Sequence, residues 1–419
     1  MHTKDRFIFE QQTLENGIVV YTHATKKVFT SLELSVPIGS AHGGIDDIPN
    51  GAPHLLEHLL MGRSKRSPEQ AGYERIAGLE GATVNAHTRR YETVYELSAP
   101  NKSLKKLLPL FFSVIFEPDI RFEDIKNQSG IIANERQQQT WWPAETEIGQ
   151  YEYTKWQDND EVGIERLYGN PATFDKTSVK SLESLHLLYA SPGIHLTSVG
   201  SGNLQPLIQL LKTVNINQSA GSGVIRPIEW VNRKYHVVPF YGQSTYELTV
   251  GGFNTASCSP KHAQAMSFFL RYLTNSIHGP LWQWLRHDLG MVYGIEWNTT
   301  VDPWAHQWVL RFNMSSMADV EIVRSQLWQR VEHAFDDTER LVAEVRRRTL
   351  INYAYLYEMS DDVLDEASND LAQYGRIVPE AEWQGYLEAC AKPAYLRSTL
   401  RDFFKQSTVG SFCAIPKEE

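Results

Sequence analysis

The sequence predicts an α+β protein of two similar domains, each an antiparallel β-sheet packed with α-helices. Three observations carry that expectation. At 419 residues the chain is too long for one compact core. Its first half reads as strands, two helices, strands and then long helices, and its second half reads in the same order. Between them Asn215 to Pro227, with Gly221-Ser222-Gly223, is polar and flexible in composition, which sets domains at 1–216 and 226–419.

The elements follow from local signals. Phe7 to His23 reads as a hairpin turning at Glu15-Asn16-Gly17, because Asn-Gly favours the tight turns that match strand twist. Thr30 to Ile38 alternates like a half-buried strand, and Gly39 to Gly51 is loop-like in its Gly, Asp and Pro content. Pro53 suits the first turn of a helix. Ser67-Pro68-Glu69-Gln70 reads as the start of another, running to about Leu79. Gly81 to Thr88 and Glu92 to Ser98 read as strands, and Ser103 to Phe116 and Phe122 to about Thr140 as helices. Ile194 to Gly200 is strand-like. Gly200-Ser201-Gly202-Asn203 lacks the lysine and hydroxyl of a phosphate loop and reads as a turn before a helix, Pro206 to Val214.

In the second half, Tyr235 to Val238, Ser244 to Gly251, Trp297 to Val301 and Trp308 to Met314 are strand-like. Ala263 to Thr274, Leu281 to Asp288, Val320 to Phe335 and Glu339 to Tyr357 are helix-like.

Composition removes several function classes. The net charge of -10, with no basic cluster to offset it, speaks against nucleic acid as a partner. Cys258, Cys390 and Cys413 are too few and too far apart for a disulfide framework or a structural zinc site, and suit a reducing compartment. The longest apolar run, Leu107 to Phe116, is half a bilayer span, so no membrane partner is expected. The N-terminus lacks the apolar run of a signal peptide, and the expected location is cytoplasmic.

Chemistry concentrates at Pro53-His54-Leu55-Leu56-Glu57-His58-Leu59-Leu60. Two histidines four apart share one helix face, with a glutamate beside them. Two imidazoles can then grip one metal ion while the carboxylate faces its open position, and the H-x-x-E-H order is the inverted zincin signature. The same stretch also fits an amphipathic helix with Leu55, Leu56, Leu59 and Leu60 as its core face. A catalytic zinc needs a third ligand, and Glu135, on a helix with apolar anchors, is a candidate. Chemistry alone does not select it over the other acids of this half.

The chain resembles the pitrilysin/insulysin family of zinc peptidases, which includes the mitochondrial processing peptidases. His54, Glu57 and His58 match the inverted motif, and Glu135 follows His58 at the family's usual spacing within Ala133-Asn134-Glu135-Arg136. Asn85-Ala86-His87-Thr88 resembles the edge strand that pairs with substrate. Glu165 to Gly169 with Pro171, and Tyr189-x-x-Pro192, resemble later landmarks. Leu285-Arg286-His287-Asp288-Leu289-Gly290-Met291-Val292-Tyr293 is similar to the segment that supplies an active-site arginine and tyrosine.

The resemblance implies a zinc metalloendopeptidase with one Zn2+ per chain. His54, His58 and Glu135 would be ligands, Glu57 the general base, and Asn85, Ala86 and Thr88 the substrate strand. Tyr293 would donate to the oxyanion and Arg286 would orient the peptide. Gln128 stands where the family often has a supporting glutamate, which removes a charge and favours weaker zinc binding. His87 as a fourth ligand is disfavoured, because a closed site blocks catalysis.

In the family two halves, each of two such domains, close on a peptide like a clamshell. This chain carries one half, so a homodimer or a heterodimer with a related peptidase-like subunit is implied. The competing readings are a heterodimeric peptidase that matures a ribosomally made peptide, and a non-catalytic scaffold. The intact ligand set disfavours the scaffold.

Overall fold

The computed structural model describes residues 8–44, 48–140, 167–169, 177–218, 236–241, 244–255, 259–274, 279–301, 305–334, 346–347 and 360–417. The domain boundary expected at Asn215 to Pro227, the helix expected at Glu339 to Tyr357 and Cys258 lie wholly or largely outside them.

Along the first half run β1 (Glu10–Thr13), β2 (Val19–Ala24), β3 (Phe29–Val36), α1 (Ala52–Gly62), α2 (Gly72–Leu79), β4 (Thr83–Thr88), β5 (Thr93–Pro100), α3 (Leu104–Phe116), α4 (Phe122–Thr140), α5 (Val179–Leu187), β6 (His195–Gly200) and α6 (Gln205–Leu211). The strands form one sheet in the order β1-β2-β6-β3-β5-β4. Period-two alternation splits β3 between two faces. Leu32, Leu34 and Val36 join a core with Leu55, Leu56, Leu59 and Leu60 of α1 and Leu107, Leu108 and Phe111 of α3. Glu33 points the opposite way.

The second half runs β7 (His236–Tyr241), β8 (Tyr246–Asn254), α7 (Pro260–Thr274), a short turn (Pro280–Trp282) that continues as a π-helix (Gln283–Asp288), β9 (Ile295–Val301), β10 (His306–Met314), α8 (Met317–Ala334), α9 (Ser360–Tyr374), α10 (Glu380–Cys390), α11 (Pro393–Lys405) and β11 (Thr408–Lys417). Its sheet has the order β7-β11-β8-β10-β9. Leu248, Val250, Trp308, Leu310 and Phe312 pack there against Phe268, Phe269, Leu327 and Phe403.

The two sheets have one topology. From β2 to β4 and from β7 to β9 the same five-strand order recurs, with one parallel pair followed by three antiparallel pairs. The sheets are therefore mixed, where antiparallel sheets were expected. The parallel pairs, β2 with β6 and β7 with β11, join the last strand of each half to its second strand in the first half and its first strand in the second. Such a pair needs a crossover through helices, which local alternation does not reveal.

One further difference is at α2. Ser67 does not begin the helix: Ser64 and Ser67 form a bridge, Ser64 also pairs with Pro118, and the helix starts at Gly72 after Ala71 in the left-handed region.

α9 crosses between the halves. It packs on the face of the first sheet that α1 does not use, with Val363, Leu364 and Ala367 against Val199. Ser368 of α9 donates to the buried Glu33 carboxylate of β3. Burial raises Glu33 to about 7, against the hydrogen bond from Ser368 and the charge of Arg89. Cys390 and Cys413 are both buried and not disulfide-bonded. Among the described residues no helix is long and apolar enough to cross a membrane.

Candidate metal centre

α1 begins where Gly51, at a φ of 78°, turns the chain, and Pro53 fills its first turn. Leu55, Leu56, Leu59 and Leu60, all at most 3% exposed, fix its rotation by filling the core. That rotation leaves His54, Glu57 and His58 facing α4 and the end of β4. α4 is held in turn by Ile125 and Ile132, both buried, and brings Gln128 and Glu135 to the same place. The amphipathic-helix reading and the metal reading of α1 are thus two faces of one element.

Three donor atoms meet there. His54 Nε2 and His58 Nε2 lie 3.2 Å apart, and Glu135 Oε2 lies 3.7 Å from the first and 3.6 Å from the second. Donors about 2.0–2.1 Å from a tetrahedral zinc sit roughly 3.4 Å from one another. The triangle therefore has the size and chemistry of three zinc ligands, two imidazole nitrogens and a carboxylate. The Glu135 side chain is 37% exposed, so the cluster opens to solvent on that side.

Electrostatics agree with donor roles. Burial, aided by His58, lowers His54 to about 3, so its ring is neutral. The His58 Nδ1 group lies 3.2 Å from Gln128 Oε1, and donating to that amide oxygen leaves Nε2 as the lone-pair atom. Tyr168 sets its ring edge-on to His54, with centroids 5.3 Å apart.

Glu57 is 6% exposed, and its Oε2 lies 4.0 Å from His54 Nε2. Burial raises its carboxyl above the ordinary range, while His58 and a hydrogen bond from Thr88 oppose the rise. A carboxylate shifted upward by burial is a stronger proton acceptor than one in water.

The expected substrate strand is β4, which ends the sheet order among the described strands. Asn85 donates to Glu96 at 3.3 Å. Ala86 packs against the core, and the Thr88 hydroxyl turns inward to Glu57 Oε2 at 2.9 Å. His87 has both ring nitrogens engaged away from the cluster, Nδ1 with Glu96 at 2.8 Å and Nε2 with Arg89 at 2.9 Å.

Arg286 and Tyr293 form a pair of their own in the second half. The guanidinium stacks 5.0 Å above the Tyr293 ring and donates to the Val292 carbonyl at 3.0 Å. Tyr293 is 85% exposed. No described contact joins the pair to His54, Glu57, His58 or Glu135.

Two roles were not read from the sequence. Tyr168 is noted there only within the landmark Glu165 to Gly169, of which residues 167–169 are described, yet it packs edge-on to His54. Arg136, beside Glu135, donates to the Gly169 carbonyl and ties that segment to α4. Tyr189 is fully buried and shares a 3.1 Å hydroxyl contact with Tyr95, which is a core role.

Comparison with known proteins points the same way. Residues 18–160 match the model of the Insulinase (Peptidase family M16) family. The bovine (Bos taurus) mitochondrial-processing peptidase subunit beta is 26% identical over 208 residues, 48% of this chain and 40% of that one. The rat (Rattus norvegicus) cytochrome b-c1 complex subunit 1 is 26% identical over 125 residues, 30% of this chain and 25% of that one. The aligned segments thus span less than half of these curated relatives.

Solved structures agree over the full fold. A protease from Helicobacter pylori superposes with a TM-score of 0.82 at 16% identity, covering 98% of this chain and 100% of that one. A peptidase M16 inactive domain from Pseudomonas fluorescens gives 0.77 at 13% identity, covering 98% of each. The periplasmic protease PqqL from Escherichia coli gives 0.77 at 14% identity, covering 98% of this chain and 45% of that one. Residues 18–160 thus carry a match to a peptidase M16 (insulinase family) domain, and the chain as a whole has the fold of the M16 structures on which it superposes.

Proposed function

We propose that the chain is a zinc-dependent metalloendopeptidase, with His54, His58 and Glu135 as metal ligands and Glu57 as general base. The donor triangle with the buried Glu57 carboxylate beside it is the observation that carries this reading. Zinc held by these residues would supply Lewis acidity and lower the pKa of a coordinated water toward neutrality. Glu57 accepts a proton from the attacking water and later delivers one to the leaving amine. An extended peptide adds to the outer edge of β4 at Asn85 and Ala86, where backbone pairing binds with little sequence preference.

Tyr293 and Arg286 complete the site from another copy or a related subunit, since their exposure suits donation across an interface. Two halves then enclose a peptide or an unfolded precursor segment. A heterodimer that matures a ribosomally made peptide is the second form of this reading. The bovine relative's name, subunit beta, favours a partnered enzyme. The Pseudomonas fluorescens relative is called inactive, which keeps a non-catalytic reading in view. The complete donor set of this chain speaks against it.

Metal stoichiometry after zinc loading and dialysis separates these readings. One zinc per chain in the wild type, lost in both His58→Ala and Glu135→Ala, is the expected result. No retained zinc in a folded wild type would overturn the metallopeptidase reading.

A further inference from the structure

We infer that Thr88 is a positioning residue for Glu57: the last residue of the edge strand orients the general base by a hydrogen bond to one carboxylate oxygen. The inference rests on the metallopeptidase reading and deepens it.

The bond is of ordinary length and partly sheltered. Thr88 Oγ1 donates to Glu57 Oε2 at 2.9 Å, and Glu57 is 6% exposed. A carboxylate has free rotation about its last side-chain bond, where rotamer wells are broad. One charge-assisted hydrogen bond therefore decides which oxygen faces inward. Oε2, held by Thr88, is also the oxygen 4.0 Å from His54 Nε2, so the bond fixes the edge of the carboxylate that is turned to the donor triangle.

The donor is itself fixed by a bolted turn. Thr88 pairs with Thr93 of β5, and Thr93 Oγ1 donates to the Ile38 carbonyl at 2.7 Å inside the core. The adjoining turn is closed by Arg89 N–H to the Glu92 carbonyl at 2.8 Å. The loop after β3 clamps it from outside, through Ser40 N–H to Arg89 O at 2.9 Å and Ala41 N–H to Arg90 O at 2.8 Å. Gly39 permits that approach, because a Cβ there would lie 2.4 Å from Arg89 O and 2.5 Å from Glu92 N.

The strand that receives the peptide and the base that works on it thus share one residue. A peptide paired to β4 is positioned against the same backbone that holds Glu57, so substrate placement and base orientation are set together.

The test compares Thr88→Val, which keeps the shape and removes the hydroxyl, with Thr88→Ser, which keeps the hydroxyl. Both are measured as zinc-loaded full-length chains with melting curves as fold controls. Thr88→Val is expected to lose roughly 10- to 100-fold in kcat, the scale of a hydrogen bond to a charged group, with KM and zinc content unchanged. Thr88→Ser should recover most of kcat. A second readout needs no activity. In metal-free protein the Glu57 carboxylate stretch, isolated as the infrared difference from Glu57→Gln, should shift in Thr88→Val and return in Thr88→Ser. An unshifted band, or a Thr88→Val kcat equal to wild type, would overturn the inference while leaving the metallopeptidase reading standing. Cleavage that persists in Glu57→Gln would instead remove that reading itself.

Discussion

Single residues around the donor triangle would decide how firmly it holds the proposed metal. Gln128 orients His58 without adding charge. Partners of this kind are worth about 10- to 100-fold in metal affinity, so Gln128→Ala should weaken zinc binding by that factor in a chelator competition. Gln128→Glu should strengthen it, and equal affinities in all three chains would show that the contact is idle. Far from the site, Asp370 accepts from Val378 N–H at 2.7 Å, and burial raises its carboxyl to about 8. In the unfolded chain it ionises near its ordinary value of 3.8. Its stabilising contribution is therefore complete below about pH 4 and is lost as pH rises toward about 8. Asp370→Asn keeps an acceptor for Val378, so its Tm advantage over wild type should grow between pH 5 and pH 8. A pH-independent difference would contradict that account. The residue chemistry of the site was legible in the sequence because H-x-x-E-H fixes three side chains on one helix turn. Glu135 needed the family's spacing as well, since it arrives on α4 through tertiary packing of Ile125 and Ile132. The Tyr168 contact had no local signal, as nothing near Tyr168 says that it packs on His54.

At the scale of elements, the junction of the loop after β3 with the turn after β4 carries the site's precision. Gly39→Ala must push two backbone segments apart, and overpacking of that kind costs about 1–3 kcal/mol. The expected outcome is a lower Tm together with a kcat loss like that of Thr88→Val, since both disturb the support of Glu57. A Gly39→Ala chain with normal melting and turnover would show that the junction tolerates a Cβ. Most elements were readable from alternation and helix periodicity. β11 was not, because Thr408 to Lys417 contains Gly410 and Pro416 and finds its place only through long-range pairing with β7 and β8. The start of α2 was misread for a related reason. Ser67-Pro68-Glu69 has the composition of a helix start, but Ser64 and Ser67 are drawn into a bridge next to Pro118, and that contact outweighs local preference.

The whole molecule is one plan used twice, tied together by α9 lying on the opposite half's sheet. The order of elements already suggested duplication, whereas the shared parallel pair and the crossing of α9 depend on contacts between distant segments. Among the described residues the candidate ligands lie in the first half, and the second presents Arg286 and Tyr293 at its surface. Division of labour between copies predicts complementation: Glu57→Gln and Tyr293→Phe chains, each inactive alone, should regain activity in mixed dimers. Verified mixed dimers that stay inactive would argue against sharing between identical chains and leave a related subunit as the partner. The central claim meets its most direct test in cleavage of a set of unstructured peptides by the purified, zinc-loaded chain, alongside Glu57→Gln at equal zinc content. The account predicts cutting by the wild type that vanishes in Glu57→Gln. Cutting that survives the substitution would contradict it.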